Sequence, residues 1–218
     1  MGQRYLAIET SSPRLSLAVG DDTRCLREYQ GPLAWRHAES LFEGLQSLLA
    51  KVHWPVKSLT GVAVSIGPGS FTGIRIGLAT ARTLGQALRI PVVGVSSLET
   101  LAQGAARPGK FLCPMLDALR GDVFAALYRV GPKGDLKTLW RPHRLPRKDL
   151  EDKLRAHPQP VLRICEDKHP NAQNLLLLAR KHLHRSGPLS YRQVVPLYLR
   201  AAAAQERRHY ARHHAIHA

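Results

Sequence analysis

The 218-residue sequence contains only three cysteines, Cys25, Cys113 and Cys165. They are far apart, odd in number and without a Cys-x-x-Cys pair, so they support neither a structural zinc site nor a disulfide framework. We expect all three to be buried, small apolar side chains in a reducing cytosol.

Long apolar stretches are also absent. No window holds 18 consecutive apolar residues, which excludes a transmembrane helix. The first six residues lead directly into an apolar strand and lack both the apolar region and the cleavage site of a signal peptide. We therefore expect no membrane contact and a cytoplasmic location.

Acidic residues are scarce. There are 16 Asp and Glu against 32 Lys and Arg, which gives a formal charge of +16 and a pI of about 10.5. Residues 101–218 hold 22 basic and nine acidic residues, whereas residues 1–100 hold ten and seven. Such asymmetry is typical of a protein with a polyanionic partner, nucleic acid first, although a solvated basic face would look the same.

Motifs for catalysis are missing as well. Glu9, Asp117 and Asp122 form no pair that specifies a reaction, and no serine lies in a Gly-x-Ser-x-Gly elbow. His37 begins a helical stretch, but Leu41 stands where a His-x-x-x-His metal site would need its second histidine. We predict no catalytic residue and no metal site in this chain.

The hydrophobic pattern predicts two related α/β lobes, residues 1–100 and a shortened 101–200, followed by a basic His/Arg-rich tail at 201–218. In the first lobe the pattern predicts strands at 5–9, 15–19, 24–29, 61–66 and 91–95, with helices at 38–53 and 70–89. In the second it predicts strands at 113–117, 123–130, 136–140 and 161–165, with helices at 148–155 and 171–184.

A glycine loop joins the predicted strand at 61–66 to the helix at 70–89. Gly67 and Gly69 allow a tight turn, and Ser70 or Thr72 can cap the helix. Strand, loop and helix N-terminus together form a generic anion site. It is neither a Walker loop nor a Gly-x-Gly-x-x-Gly fingerprint, so a phosphate loop and a structural turn both fit. The candidate nucleotide or phosphate residues are Glu9, Thr10, Ser11, Gly67, Gly69 and Ser70.

The helix after that loop carries small residues at every fourth position. Three of the four are glycines, which cost about 1 kcal/mol each relative to alanine, so a close neighbour must offset that cost. Either the helix packs against the preceding helix of its own lobe, or it forms an interface with another chain. The residues of the predicted partner interface are Leu41, Leu45, Gly73, Ile74, Gly77, Leu78, Ala81 and Gly85.

Several segments, taken in order, resemble the TsaB (YeaZ) family of bacterial tRNA threonylcarbamoyladenosine biosynthesis. The longest is Gly-Pro-Gly-Ser-Phe-Thr-Gly-Ile-Arg-Ile-Gly at 67–77. The others are residues 6–11, 37–41, 94–99, 115–128 and 196–200. The match is dense over residues 1–130, while residues 131–195 match only in layout.

The resemblance implies an actin-like ATPase fold (the ASKHA, or Hsp70/actin-like, class) and a non-catalytic scaffold or activator role. Family members pair with TsaD through the two helices of the first lobe, and a homodimer can use the same surface. TsaD carries two metal-binding histidines, and only His37 corresponds here. With the ATPase TsaE, the complex transfers threonylcarbamoyl to N6 of the adenosine 3′ to the anticodon in tRNAs that read ANN codons.

The resemblance also implies that ATP and a metal ion belong to the partner subunits, with no cofactor in this one. Glu9, Leu119 and Asp122 depart from the family's usual Asp, Arg and Glu. We expect tRNA to contact the chain within the complex at Arg200, Arg207, Arg208 and Arg212. The alternatives are a stand-alone actin-fold ATP-binding enzyme and a basic tRNA-binding module.

Overall fold

A computed structural model describes residues 2–33, 37–165, 167–186 and 190–199. The four arginines predicted to contact tRNA, at 200, 207, 208 and 212, lie outside these residues, as does the tail at 201–218. The predicted tRNA contacts of these arginines and the predicted basic tail are therefore not tested by the structure.

The first sheet has five strands in the order β3-β2-β1-β4-β5. They are β1 (Tyr5–Glu9), β2 (Arg14–Gly20), β3 (Cys25–Leu33), β4 (Gly61–Ser65) and β5 (Val92–Val95). β1, β4 and β5 run parallel, while β2 is antiparallel to both β1 and β3. Helices α1 (His37–Lys51) and α2 (Phe71–Leu88) cover one face, and a 3₁₀ turn at Val56–Ser58 precedes β4.

The second sheet has four strands in the order β8-β7-β6-β9. They are β6 (Phe111–Asp117), β7 (Asp122–Val130), β8 (Leu136–Pro146) and β9 (Val161–Ile164). Helix α3 (Ser97–Gly104) packs on one face and α4 (Arg147–Arg155) on the other. β6 pairs antiparallel with β7 and parallel with β9, as β1 does with β2 and β4, so the second sheet repeats the start of the first.

The predicted boundary between the lobes is wrong for the end of the chain. Helix α5 (Ala172–Ser186) packs its leucines on the face of the first sheet opposite α1 and α2, against the alanines of β1, β2 and β4. Val194 is buried in the core beneath α1 and α2. The small alanine side chains let α5 lie close to this sheet, which draws the end of the chain back to the first lobe.

The cysteines are less uniform than predicted. Cys113 is buried, Cys25 is half-buried and Cys165 is exposed, so the expectation of three buried thiols is wrong for two of them. Burial raises the pKa of the Cys113 thiol to about 12. Within the described part of the chain, no helix has the length and apolar character needed to cross a membrane.

Candidate functional site

The glycine loop lies at the carboxyl ends of the parallel strands of the first sheet. Glu9 is the last residue of β1, Ser65 is the last of β4, and Ser97 begins α3 directly after β5. In open α/β sheets this edge is where ligands bind. The structure therefore brings the predicted loop residues together at the edge where a nucleotide site would be expected.

The loop is packed tightly against the turn that follows β1. The Ser70 amide donates to the Ser11 carbonyl at 2.8 Å, and a Cβ added at Gly69, where φ is +152°, would lie 2.2 Å from that oxygen. A Cβ at Gly73 would lie 2.0 Å from the Thr10 carbonyl oxygen. The two glycines are needed for this close approach, and the chain's own turn occupies the space beside the loop.

Several polar groups at this loop form hydrogen bonds within the chain. The Ser70 hydroxyl caps α2 by accepting from the Gly73 amide at 3.1 Å, and the Ser70 carbonyl accepts from the Ile74 amide at 2.9 Å. The Thr10 hydroxyl donates to the Gly73 carbonyl at 2.8 Å. Of the two interpretations left open by the sequence, this geometry favours the structural turn.

Glu9 faces the protein interior. Its Oε1 accepts from the amide and the hydroxyl of Ser11, at 2.7 and 2.6 Å, while Oε2 has no hydrogen-bond partner. Complete burial raises the pKa of Glu9, although its hydrogen bonds with Ser11 act in the opposite direction. The Ser65 and Ser97 hydroxyls are 2.8 Å apart, which extends a buried polar layer across the strand ends.

His37 holds this same region to the start of α1. Its Nε2 lies 2.8 Å from the Ser12 carbonyl oxygen, and burial lowers the pKa of the imidazole. Among the residues that the structure describes, no three His, Cys, Asp or Glu side chains come together in a group that could hold a metal ion. The geometry gives His37 a positioning role for the turn after β1.

The small-residue ridge of α2 faces the first sheet, so its predicted place on an exposed interface is wrong. A Cβ at Gly77 would lie 2.3 Å from the Thr10 Oγ1, and one at Gly85 would lie 2.5 Å from the Val92 Cγ2. The ridge lets α2 lie directly on β1, β4 and β5, a neighbour that neither earlier alternative included. All eight residues predicted for the interface are buried: Leu41, Leu45, Gly73, Ile74, Gly77, Leu78, Ala81 and Gly85.

The opposite faces of α1 and α2 are exposed and carry aromatic residues. Phe42 on α1 is 69% exposed and Phe71 on α2 is 41% exposed. The Arg75 guanidinium lies 3.8 Å from the centre of the Phe71 ring and donates to the Tyr198 hydroxyl at 3.2 Å. This surface was not predicted from the sequence, although Phe42 lies outside the apolar stripe of Leu41, Leu45, Leu48 and Leu49 that is buried on α1.

The segment at 190–199 crosses the first lobe and joins this surface. The Leu197 amide donates to the Ile66 carbonyl at 2.8 Å, and the Arg82 guanidinium donates to the Val194 carbonyl. The Phe71 and Tyr198 rings are 5.1 Å apart. The end of the described chain therefore contributes an aromatic ring beside the N-terminus of α2.

Comparison with known proteins supplies the family. A family model described as TsaD, tRNA N6-adenosine threonylcarbamoyltransferase, matches residues 32–136. The tRNA threonylcarbamoyladenosine biosynthesis protein TsaB of Bacillus subtilis is 31% identical over 92% of this chain and 95% of its own length. The Escherichia coli protein of the same name is 33% identical over 60% of this chain and 57% of its own.

A solved structure supports the same relationship. An uncharacterized Pseudomonas aeruginosa protein with similarity to peptidase YeaZ superimposes with a TM-score of 0.79 at 26% identity. The superposition covers 91% of this chain and all of that one. Together with the repeated sheets, this match confirms the predicted two-lobed, actin-like α/β fold.

Proposed function

Since this chain belongs to the TsaB family of tRNA threonylcarbamoyladenosine biosynthesis proteins, we propose that it is a non-catalytic scaffold or activator subunit. It pairs with TsaD and, through that pair, with TsaE. The complex transfers threonylcarbamoyl to N6 of the adenosine 3′ to the anticodon in tRNAs that read ANN codons. The chain itself contributes no catalytic side chain.

The observation that carries the proposal is the packing of the glycine loop on residues 10 and 11. A phosphate group at a helix N-terminus needs free backbone amides and room beside them. Here the Ser11 carbonyl occupies that room and accepts from the Ser70 amide, while the Glu9 carboxyl is turned inward. We therefore assign ATP and the metal ion to the partner subunits.

The exposed face of α1 and α2 is the surface we propose for TsaD. Energetic centres of protein interfaces are rich in aromatic residues and arginine, and this face presents Phe42, Phe71, Arg75 and Tyr198. The buried glycine ridge supports it from beneath by holding α2 close to the sheet. A second copy of the chain can occupy the same face, which gives a homodimer in the absence of TsaD.

We place the complex in the cytoplasm, where a tRNA substrate would be found, and assign the basic second lobe to the RNA. The described residues of this lobe include the cationic β8 strand, whose Lys137 and Arg141 are exposed. In this arrangement the near-neutral first lobe binds TsaD, and the basic second lobe is free to contact the negatively charged tRNA.

The proposal is tested by replacing Phe42 with glutamate and measuring assembly with the TsaD of the same organism. Because Phe42 is 69% exposed, the substitution should leave the free energy of unfolding nearly unchanged while it buries a charge in the complex. We expect co-elution on size exclusion to be lost. Leu162→Glu is the matched control, since Leu162 is 49% exposed on β9 of the other lobe.

The assignment of the TsaD surface would be refuted if Phe42→Glu and Leu162→Glu both lost co-elution with TsaD to the same extent. It would also be refuted if both variants still co-eluted with TsaD. Calorimetry with ATP and Mg²⁺ on the isolated chain tests the non-catalytic role separately. Tight binding with turnover would favour the stand-alone enzyme over the scaffold subunit.

A further inference from the structure

One row of residues crosses all four strands of the second sheet on the face that α4 partly covers. The pairing register places Val161 opposite Phe111, Phe111 opposite Arg129, and Arg129 opposite Lys137. Arg129 and Lys137 are exposed, while Phe111 is half-buried at the edge of the core beneath α4. The row therefore begins apolar on β9 and ends with two adjacent cations on β7 and β8.

The Arg129 and Lys137 pair is unfavourable in the free chain. Residues directly opposite on antiparallel strands have Cβ atoms about 5 Å apart, and like charges there repel. No ion pair within the described residues joins either side chain to a carboxylate. A polyanion lying across this row would relieve the repulsion by placing a negative charge between the two cations.

Aromatic rings lie beside the cations on the same face. The His157 ring lies between Phe111 and Trp140, with ring centres 5.0 and 6.4 Å away. The Arg129 guanidinium is 5.9 Å from the centre of the Phe111 ring. Cationic side chains next to aromatic rings on a sheet are typical of surfaces that bind single-stranded nucleic acid, where bases stack and phosphates meet the cations.

The charge pattern extends along the edge strand. Residues 136–148 contain five lysines and arginines and no acidic residue. Among them, Arg144 forms an ion pair with Asp122 at 2.7 Å, so its charge is partly neutralised. Lys137 and Arg141 are exposed on β8, and Arg163 is exposed on β9. Edge lysines and prolines also deter strand pairing, but that role does not require a second cation on β7 or the neighbouring rings.

We propose that the α4 face of the second lobe, formed by Phe111, Arg129, Lys137, Trp140 and His157, binds unpaired RNA. The choice of RNA rather than another polyanion rests on the proposed function, in which the complex acts on a tRNA loop. Phosphates lie against Arg129 and Lys137, and one or two unstacked bases lie against the Trp140 and His157 rings. This surface is separate from the aromatic face of α1 and α2.

The test compares the full chain with the double variant Arg129→Gln/Lys137→Gln, alone and mixed with TsaD. The probes are a labelled single-stranded RNA of about 16 nucleotides, a duplex of the same length and an unmodified tRNA transcript. We expect single-strand and tRNA affinity to fall about tenfold at 100 mM salt, and the slope of log Kd against log salt to fall by about 1.4. Arg24→Gln/Arg27→Gln removes the same charge from exposed positions near β3 of the first lobe and should change neither.

Base stacking is tested separately through Trp140. In a Trp35→Phe/Trp54→Phe background, Trp140 is the remaining tryptophan, and its fluorescence should be quenched by the single strand and less by the duplex. Trp140→Leu keeps the apolar cover of the core and should weaken single-strand binding more than duplex binding.

Equal affinities of the wild type and the Arg129/Lys137 variant, both alone and with TsaD, would overturn the proposal. So would competition by poly-glutamate as effective as that by RNA, since it would identify an acidic protein as the partner. Loss of TsaD pairing in the Phe42 experiment with RNA binding intact leaves this surface standing. Loss of RNA binding in Arg24→Gln/Arg27→Gln but not in Arg129→Gln/Lys137→Gln would reject RNA binding at the α4 face, and it would not affect the proposed scaffold role.

Discussion

Replacing Gly77 with alanine tests whether the glycine ridge serves the inside of the lobe. The added Cβ would lie 2.3 Å from the Thr10 Oγ1 and 3.4 Å from the Val64 Cγ2. The Thr10 hydroxyl cannot simply rotate away, because it donates to the Gly73 carbonyl at 2.8 Å in a buried hydrogen bond. The substitution must therefore either break that bond or push α2 off the sheet.

The expected change in the free energy of unfolding combines one stabilising and two destabilising contributions. Alanine gains about 1 kcal/mol over glycine in a helix interior. Overpacking typically costs about 1–3 kcal/mol, and loss of a buried hydrogen bond costs about 0.5–1.5 kcal/mol more. The net prediction is a decrease in the free energy of unfolding of about 0.5–3.5 kcal/mol. Gly73→Ala should cost more, because its Cβ would meet the Thr10 backbone carbonyl at 2.0 Å, and backbone cannot rotate away.

Guanidinium denaturation followed by circular dichroism gives the free energies. Exposed Ala79 on the same helix serves as the calibration, since Ala79→Gly should cost only the propensity difference of about 1 kcal/mol. The partner variant is Thr10→Ala, which removes the atom that the new Cβ would meet. In that background Gly77→Ala should cost at least about 1 kcal/mol less, which is a coupling typical of contacting residues.

Two outcomes would refute this reasoning. If Gly77→Ala raises the free energy of unfolding by the whole helix-propensity difference of about 1 kcal/mol, then there is space for a methyl group between α2 and the sheet, and Gly77 does not pack against Thr10. If the Thr10 and Gly77 effects simply add, then the contact between them is not what requires glycine.

Two further predictions concern the loop and the segment at 190–199. Burial raises the pKa of Glu9 in the folded chain above the ordinary value of 4.5. As pH rises above that value, the unfolded chain loses this proton before the folded chain does, so the carboxyl lowers the free energy of unfolding. Glu9→Gln should therefore gain stability relative to wild type between acidic and neutral pH in denaturation midpoints, and a difference independent of pH would contradict the assignment. Arg82→Ala removes two donors to the Val194 carbonyl and should cost about 1–3 kcal/mol. It should also speed tryptic cleavage after Arg192, whereas unchanged cleavage would show that other contacts hold the segment.

The glycine ridge links the interior of the lobe to its proposed partner surface. Gly73 and Gly77 set how closely α2 lies on the sheet, and Phe71 and Arg75 point outward from the same turns of the helix. A ridge substitution that displaces α2 would move both aromatic and cationic contacts at once. Loss of TsaD pairing in a ridge variant would therefore be an indirect effect, which is why exposed Phe42 is the sharper probe.

Most elements of the fold were predictable because their apolar residues repeat at regular spacing. The helix predicted at 70–89 is observed at Phe71–Leu88, and its Ser70 cap is confirmed. Helix α3 was missed, although Leu98, Leu101 and Ala102 are spaced as on one helix face. Its eight residues are too few for that spacing to stand out from the surrounding loop. β8 was predicted too short because Pro142 interrupts its pattern. The proline is tolerated because β8 is an edge strand and because Pro142 lies where the register of β8 with β7 shifts.

For the candidate site, the sequence predicted a close contact but could not identify the segment that makes it. Gly73, Gly77, Ala81 and Gly85 indicate by their spacing that something approaches α2 closely, and this inference holds. The spacing carries no information about which surface approaches. The structure supplies Thr10, which is 63 residues from Gly73 in the chain and meets it through a buried hydrogen bond.

The sequence by itself determined the repeated order of strands and helices, the helix caps, the excess of positive charge and the family. These properties depend on residues close together in the chain or on composition. Only the tertiary structure decided that the glycine ridge is internal, that α5 returns to the first sheet, and that Arg129 and Lys137 lie side by side. Each of these depends on strand register and on packing between distant segments, and no local pattern encodes which apolar faces meet.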